Sequence, residues 1–277
     1  MTDDVTDPSA SDDTRLPPAS PIPALRGAIT FLTRIPVPGG DGSDWHAFRR
    51  SPWTFPVVGA VIGGVAGLAF LAPSAWTAAA LYLLAVYLLG GITHADGLAD
   101  LGDAVAAHDP DRRVELLRDA ALGVGGALAL AVTLLVTTLG ALALATGFVG
   151  GGGGSVTGTA AFRIVLAAEV GAKAGMALLA CFGSSAHEGL GSAVADDIGP
   201  RSFVPVALLS VTVLLAPPTG AFPALVAALL AGPAVAALLL VRVRPWLGGI
   251  SGDVLGATNE IGRAVALHAG VVVWAIL

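Results

Sequence analysis

Hydrophobic positions in this chain come in long continuous stretches, not in alternation, and the stretches define its elements. Apolar runs occupy residues 55–72, 75–91, 123–148, 159–182, 203–216, 222–241 and 264–277. A run of about 18 residues or more is long enough to cross a bilayer as a helix. A barrel strand would instead alternate apolar and polar side chains. The pattern predicts an all-α, polytopic membrane helix bundle of about seven spans, within a range of roughly six to eight. The last run is the marginal one, since it reaches only about 21 Å at roughly 1.5 Å per residue. Ahead of the spans, residues 24–35 form a short apolar segment with Arg26 and Arg34 near its ends. This predicts a helix lying at the membrane interface, stopped by Pro36 and Pro38. Residues 1–23 are acidic and rich in Pro and Ser, with no apolar core. No signal peptide is read there, and the segment is expected to be a disordered tail. The organisation is then a tail, 1–23, and one membrane domain, 24–277.

The polar stretches between the runs fix an orientation. They lie at residues 41–52, 90–119, 183–202 and 242–263, and the last three read as loops on one side of the membrane. Basic residues favour cytoplasmic loops. With the N-terminus placed inside, all of the 14 Lys and Arg residues fall inside except Arg163 and Lys173, which lie in the fourth run. The opposite turns, near Pro73 and Ser74, over 148–158 and over 217–221, carry no charge. The sequence thus predicts a cytoplasmic N-terminus and a multi-pass protein of the cell membrane, with every polar loop facing the cytoplasm.

Composition agrees with the pattern. Of 277 residues 55% are hydrophobic and 12% charged, with a mean hydropathy of +0.81, whereas soluble domains carry about 25% charged residues. The net charge of −6 argues against nucleic acid as a partner, which calls for clustered Lys and Arg. Lipid is the expected surrounding, and an oligomer is compatible with the pattern. The single cysteine, Cys181, allows no internal disulfide and reads as a small buried residue. The glycines at 150–154 have no Lys and no strand before them, so they form a connector and not a phosphate loop.

The densest chemistry lies at residues 90–119, where seven acidic residues, three arginines and two histidines sit between apolar runs. Asp96, Asp100 and Asp103 are spaced i, i+4, i+7, which puts three carboxylates on one face of a helix. Left alone they repel one another, and a divalent cation such as Mg²⁺, which takes hard oxygen ligands, accounts for them. The plainer alternative is a solvated loop with helix caps, Asp109-Pro110 among them. His94, two residues before Asp96, is a candidate ligand or proton carrier, and His108 reads as a surface residue. The following residues, through Asp119, predict a short amphipathic helix. Its Arg112, Arg113 and Arg118 suit bidentate phosphate contacts, or else ion pairs with Asp109, Glu115 and Asp119, or a simple orienting role.

Inside the fourth run, Glu169 and Lys173 stand four residues apart. Charges at membrane depth are costly and usually functional; the alternative is mutual neutralisation, with Lys173 snorkelling to the cytoplasmic edge. Arg163 is expected to snorkel outward. Asp253 and Glu260 sit in a glycine-rich loop where backbone can approach a ligand closely. His268 reads as a satisfied helix residue.

Taken together, HADGLADLGDAV followed by RRVELLRDAALGVGG resembles the cobalamin synthase family, the adenosylcobinamide-GDP ribazoletransferases. FLTRIPVP at 31–38, SPWTFPVVGAVIGG at 51–64, EGLG at 188–191 and GGISGDVLGATNE at 248–260 are similar to further signatures of that family. The likeness covers nearly the whole chain after the tail. It implies transfer of the adenosylcobinamide phosphoryl group from adenosylcobinamide-GDP to α-ribazole or its 5′-phosphate, with release of GMP and with Mg²⁺ as cofactor. Asp96, Asp100 and Asp103 are then expected to hold the metal, and one of them or His94 to take the hydroxyl proton. Arg118, Asp119, Lys173 and Arg112 or Arg113 are expected at the phosphates, with Asp253 and Glu260 completing the metal or nucleotide site. Two other classes are weaker fits. A CDP-alcohol phosphotransferase wants a DxxDGxxAR order that Asp96-Gly97 lacks, and a transporter wants paired repeats with charges at mid-membrane.

Overall fold

The computed structural model describes residues 20–109, 113, 115–117, 121–147, 158–186, 189–195, 198–215 and 222–276. Among them every regular element is a helix, and the sole β-type pairing is an isolated bridge between Ser185 and Ile250. In chain order the helices are α1 (Pro21–Leu32), α2 (Gly42–Arg49), α3 (Thr54–Gly67), α4 (Ala75–Gly90), α5 (Thr93–Ala106), α6 (Val124–Thr146), α7 (Gly158–Phe182), α8 (Leu190–Ala195), α9 (Phe203–Ser210), α10 (Phe222–Leu247) and α11 (Gly252–Ala275). Most of the expected tail, residues 1–19, lies outside the described residues; α1 begins at Pro21, with proline in the first turn where its missing N–H costs nothing.

Helix α7 is the axis of the bundle and is buried along almost its whole length. Small residues allow this, since helices within a membrane gain most from close packing. A Cβ on Gly59 of α3 would stand 2.7 Å from the Glu169 carbonyl oxygen, and one on Gly175 of α7 would stand 2.6 Å from the Gly232 oxygen of α10. Helices α3 and α10 therefore grip α7 from two sides at backbone contact distance.

Among the described residues four helices are long and apolar enough to cross a membrane: Thr54–Leu71 (α3 with its 3₁₀ extension), α6, α7 and α10. A fifth span exists only if α4 and α5 are taken together, and these two meet at a 94° bend. Gly91 makes the bend, at φ +70°, a conformation that side chains with a Cβ rarely adopt. By length and composition the described residues thus offer four or five candidate spans within the all-α membrane bundle, and the expected count of about seven is not confirmed. The run at 203–216 becomes the eight residues of α9 and a short 3₁₀ turn over Val211–Leu214.

Two polar stretches expected to be loops are helical. Residues 42–49 form α2, started by a capping box in which Asp41 and Asp44 bond to each other's backbone. Residues 252–263, expected in the third loop, are the first half of α11, so the run at 264–277 is the end of that helix and not a separate short span. Asn259, Glu260 and Arg263 are held inside the bundle by partners on other helices.

Candidate functional site

Helices α5 and α11 cross with their backbones in contact, and two glycines make this possible. A Cβ on Gly97 would lie 2.6 Å from Asp253 Cα, and one on Gly256 would lie 3.0 Å from His94 Cα. The contact brings His94 and Asp96 of α5 together with Asp253 of α11 around one cavity of about 200 Å³. Met176 of α7, Val194 of α8, Phe31 of α1 and Phe55 of α3 close it. Neighbouring loops are tied to the same place. Ile250 N donates to the Ser184 oxygen (2.8 Å), Ala186 N donates to the Ile250 oxygen (3.0 Å), and Arg49 Nη1 donates to the Ala193 oxygen (3.2 Å). Four segments far apart in sequence thus meet at one end of the bundle.

The electrostatics of this junction are those of crowded carboxylates. On α5, beyond the bend and off the spanning helices, Asp100 is pushed up to about 6 by partial burial and by Asp253, Asp96 and Asp103 nearby. His94 is buried, and its pKa is driven well below the usual value by that burial, with Lys173 and Arg263 adding to the effect. It is therefore neutral at neutral pH and a weaker base than an exposed histidine. Asp253 accepts from Ser251 Oγ at 3.1 Å, and Ser251 also caps α11. Asp96 is exposed on the cavity side.

Asp103 stands on the same helix but faces elsewhere. Its two oxygens accept from Gly123 N and Gly126 N, each at 2.8 Å. Gly123 is the N-cap of α6 and has no side chain to cap with, so Asp103 supplies the cap from α5. Sequence spacing grouped Asp103 with Asp96 and Asp100; the structure commits it to a helix end.

Glu169, Lys173 and Glu260 belong to a buried network beneath the cavity. Arg263 Nε donates to Glu169 Oε1 at 2.7 Å, and its Nη1 donates to both Glu260 oxygens at 2.8 Å. Tyr82 donates to Glu169 at 2.9 Å and Tyr87 to Glu260 at 2.8 Å. Lys173 Nζ donates to Asn259 Oδ1 at 2.7 Å, and Asn259 Nδ2 donates to Glu260 Oε1 at 2.9 Å. Every member except Tyr87 is at most 3% exposed. The i, i+4 partnership expected between Glu169 and Lys173 is replaced: Glu169 pairs with Arg263, and Lys173 bonds Asn259. The two carboxylates, Arg263 and Lys173 balance in charge, which is what makes the burial tolerable. Sequence reasoning missed Arg263, Asn259, Tyr82 and Tyr87. Arg263 had been assigned to a cytoplasmic loop. One signal was available: both tyrosines of the chain lie on α4, in reach of buried acids.

Arg113 donates from Nε to the Ala107 oxygen at 3.1 Å and lies over the Trp246 ring, 4.8 Å from its centroid. It satisfies a carbonyl just past the end of α5 and stacks on α10. Arg112, Arg118 and Asp119 lie outside the described residues, as do His187, Glu188, Asp196 and Asp197. His268 bonds the Val136 oxygen at 2.8 Å, as a satisfied helix residue should.

For a cation, the donors at the junction are of the right kind, hard carboxylate oxygens, and Asp100 among them is lifted by burial first and by its acidic neighbours second. Among the described residues no three His, Cys, Asp or Glu side chains converge into a complete metal shell. Mg²⁺ is commonly held by one or two carboxylates and completed by water and substrate phosphates.

Spanning helices, a buried ion network and a cavity edged by carboxylates and a neutral histidine together define an integral-membrane enzyme. The chain belongs to the cobalamin-5-phosphate synthase family, whose model matches residues 24–271. It is 50% identical over 254 residues to the adenosylcobinamide-GDP ribazoletransferase of Halorubrum lacusprofundi, covering 91% of this chain and 97% of that protein. The proteins of that name from Haloquadratum walsbyi and Methanocella arvoryzae are 46% and 37% identical, covering 91% and 90% of this chain and 98% and 96% of their own lengths. No solved structure matches the chain. Family membership sets aside the CDP-alcohol phosphotransferase and transporter readings.

Proposed function

We propose that the protein joins the two halves of cobalamin, transferring the adenosylcobinamide phosphoryl group from adenosylcobinamide-GDP to α-ribazole or its 5′-phosphate at the cytoplasmic face of the cell membrane. In this step a ribose hydroxyl oxygen forms the new bond to the phosphorus attached to the cobinamide arm. The bond from that phosphorus to the bridging oxygen breaks, and GMP leaves with the electron pair. The hydroxyl proton passes to a base of the protein. The observation that carries the reading is the meeting of His94, Asp96 and Asp253 on one cavity, with Asp100 crowded beside them.

Asp96 and Asp253 are the residues that would hold Mg²⁺ together with substrate phosphates, Asp100 adds negative charge beside them, and Asp103 serves the group by fixing α5 to the start of α6. When bound, the cation supplies positive charge to phosphoryl oxygens, the main need of a transfer with little covalent chemistry. His94 or Asp96 takes the hydroxyl proton; His94 is suited by being neutral and held in place by burial. The first turn of α11 borders the cavity, and its N–H groups favour the charged nucleotide side. Arg112, Arg118 and Asp119 keep their assignment to the phosphates, and Arg113 holds the end of α5. Lys173 and Glu260 act from below, through the network that seats α11.

The clustering of basic residues in the polar stretches of the sequence supports a cytoplasmic site, with Arg263 now counted inside the bundle. The test is a reconstitution in lipid nanodiscs with adenosylcobinamide-GDP, α-ribazole and either MgCl₂ or chelator. Stoichiometric GMP and corrinoid product with Mg²⁺, and none with chelator, is the expected result. Folded protein that forms no product under either condition refutes the reading.

A further inference from the structure

Asp96 lines two separate cavities. Besides the one it shares with His94 and Asp253, it lines a groove of about 410 Å³ walled by Tyr87, Ala95, Ala99, Leu122, Leu130 and Leu134. The two cavities have no other lining residue in common. Among the described residues Asp96 is the sole charged group on the groove, and the Tyr87 hydroxyl is already donated to Glu260. Leu130 and Leu134 lie on α6, a spanning helix, so the groove runs from the carboxylate along the membrane side of the bundle.

Both chambers have apolar walls, but they differ in charge: His94 and Asp253 join Asp96 on the first, whereas Asp96 stands alone on the groove. A hydrated diphosphate placed against leucines would lose its water with nothing in exchange, whereas a flat apolar ring would bury area favourably. In phosphoryl transfer the attacking and leaving oxygens lie roughly in line, so acceptor and leaving nucleotide approach from opposite sides of the phosphorus. The chamber with Asp253 and the start of α11 suits the charged leaving side, which puts the acceptor on the other side of Asp96.

We propose that the groove between α4, α5 and α6 is the acceptor subsite, taking the apolar heteroaromatic ring of the riboside with its ribose turned toward Asp96. This rests on the ribazoletransferase reading and adds to it where the second substrate sits. The wall residues select for ring shape and apolarity, and Tyr87, fixed at its hydroxyl by Glu260, presents a ring face on which the acceptor base stacks.

The experiment uses the full chain in nanodiscs, with Leu134→Trp to fill the groove and Ala95→Leu as a second, milder filling from α5. Steady-state constants are measured for each substrate, and binding of α-ribazole alone is measured by equilibrium dialysis. The expected result is a KM for α-ribazole raised about tenfold or more, with the KM for adenosylcobinamide-GDP within about twofold, and a matching loss in dialysis. An unchanged acceptor KM and unchanged dialysis in both folded variants would make the groove a seat for a lipid acyl chain and overturn the proposal. A rise in the donor KM instead would also overturn it. Wild-type protein that binds α-ribazole yet makes no product would sink the transferase reading while leaving the groove assignment to be judged by dialysis.

Discussion

Arg263 Nε donates to Glu169 Oε1 at 2.7 Å, joining α11 to α7 across 94 residues of sequence, with both side chains buried. The same guanidinium holds Glu260. Removing one partner leaves uncompensated charge in the bundle, which costs about 3–5 kcal/mol for a buried pair. Arg263→Met is therefore expected to lower the thermal unfolding temperature sharply. Arg263→Lys keeps the charge but loses the fork and should fall between the two. Unfolding followed by circular dichroism in detergent checks this, and an unchanged midpoint for Arg263→Met would show that the network is dispensable.

Asp103 and Asp96 are predicted to behave differently although they lie on one helix. Asp103→Ala removes the cap of α6 and should cost about 0.5–2 kcal/mol of stability. Mg²⁺ affinity should stay within about twofold of wild type, because the Asp103 oxygens point to Gly123 and Gly126. Unfolding midpoints with a Mg²⁺ titration decide it: a large loss of Mg²⁺ affinity would return Asp103 to the metal.

Gly97→Val is expected to reduce turnover by about 100-fold, since a Cβ there meets the Asp253 backbone and misplaces reacting groups by about an ångström. Gly64→Ala, where a Cβ meets nothing within 4 Å, should leave turnover unchanged and gain up to about 1 kcal/mol from helix propensity. Initial rates for the two variants, side by side, test the helix crossing.

The carboxylate cluster predicts how pH and Mg²⁺ act together. Asp100 is raised to about 6 from an ordinary 3.8, so between those values the folded protein holds more protons than the unfolded chain. Its contribution to stability is therefore lost as pH rises through about 4 to 6. Above that range the ionised cluster is repulsive and ready for a cation. Mg²⁺ should raise the unfolding temperature more at pH 7.5 than at pH 5, read by thermal scans with and without MgCl₂. An equal shift at both pH values would remove the coupling.

Much of this was legible in the chain. The apolar runs located α3, α6, α7 and α10, because a spanning helix carries its own signature. The HADGLAD stretch announced a helix with acids on it, and the approach of the C-terminal glycine-rich segment was foreshadowed by its glycines. What stayed hidden depends on partners. Residues 252–263 look like a loop because they are polar, and they are helical because Glu260 and Arg263 meet Tyr87 and Glu169 inside the bundle. Asp103 looked like a third ligand because spacing along a helix cannot show that a glycine at the start of α6 lacks a cap. The remaining apolar runs are less direct signatures: the run at 203–216 holds the short α9, and the run at 264–277 is the end of α11, whose first half is polar.

The central claim is that phosphoryl transfer occurs where Asp96 and Asp253 meet. The direct measurement is the initial rate of GMP release coupled to corrinoid product by Asp96→Asn at saturating Mg²⁺ and substrates. Losing a group that stabilises transition-state charge costs about 10²–10³ in rate, so a fall of that size with an unchanged unfolding temperature is the expected result. An Asp96→Asn enzyme working within about twofold of wild type would contradict the claim.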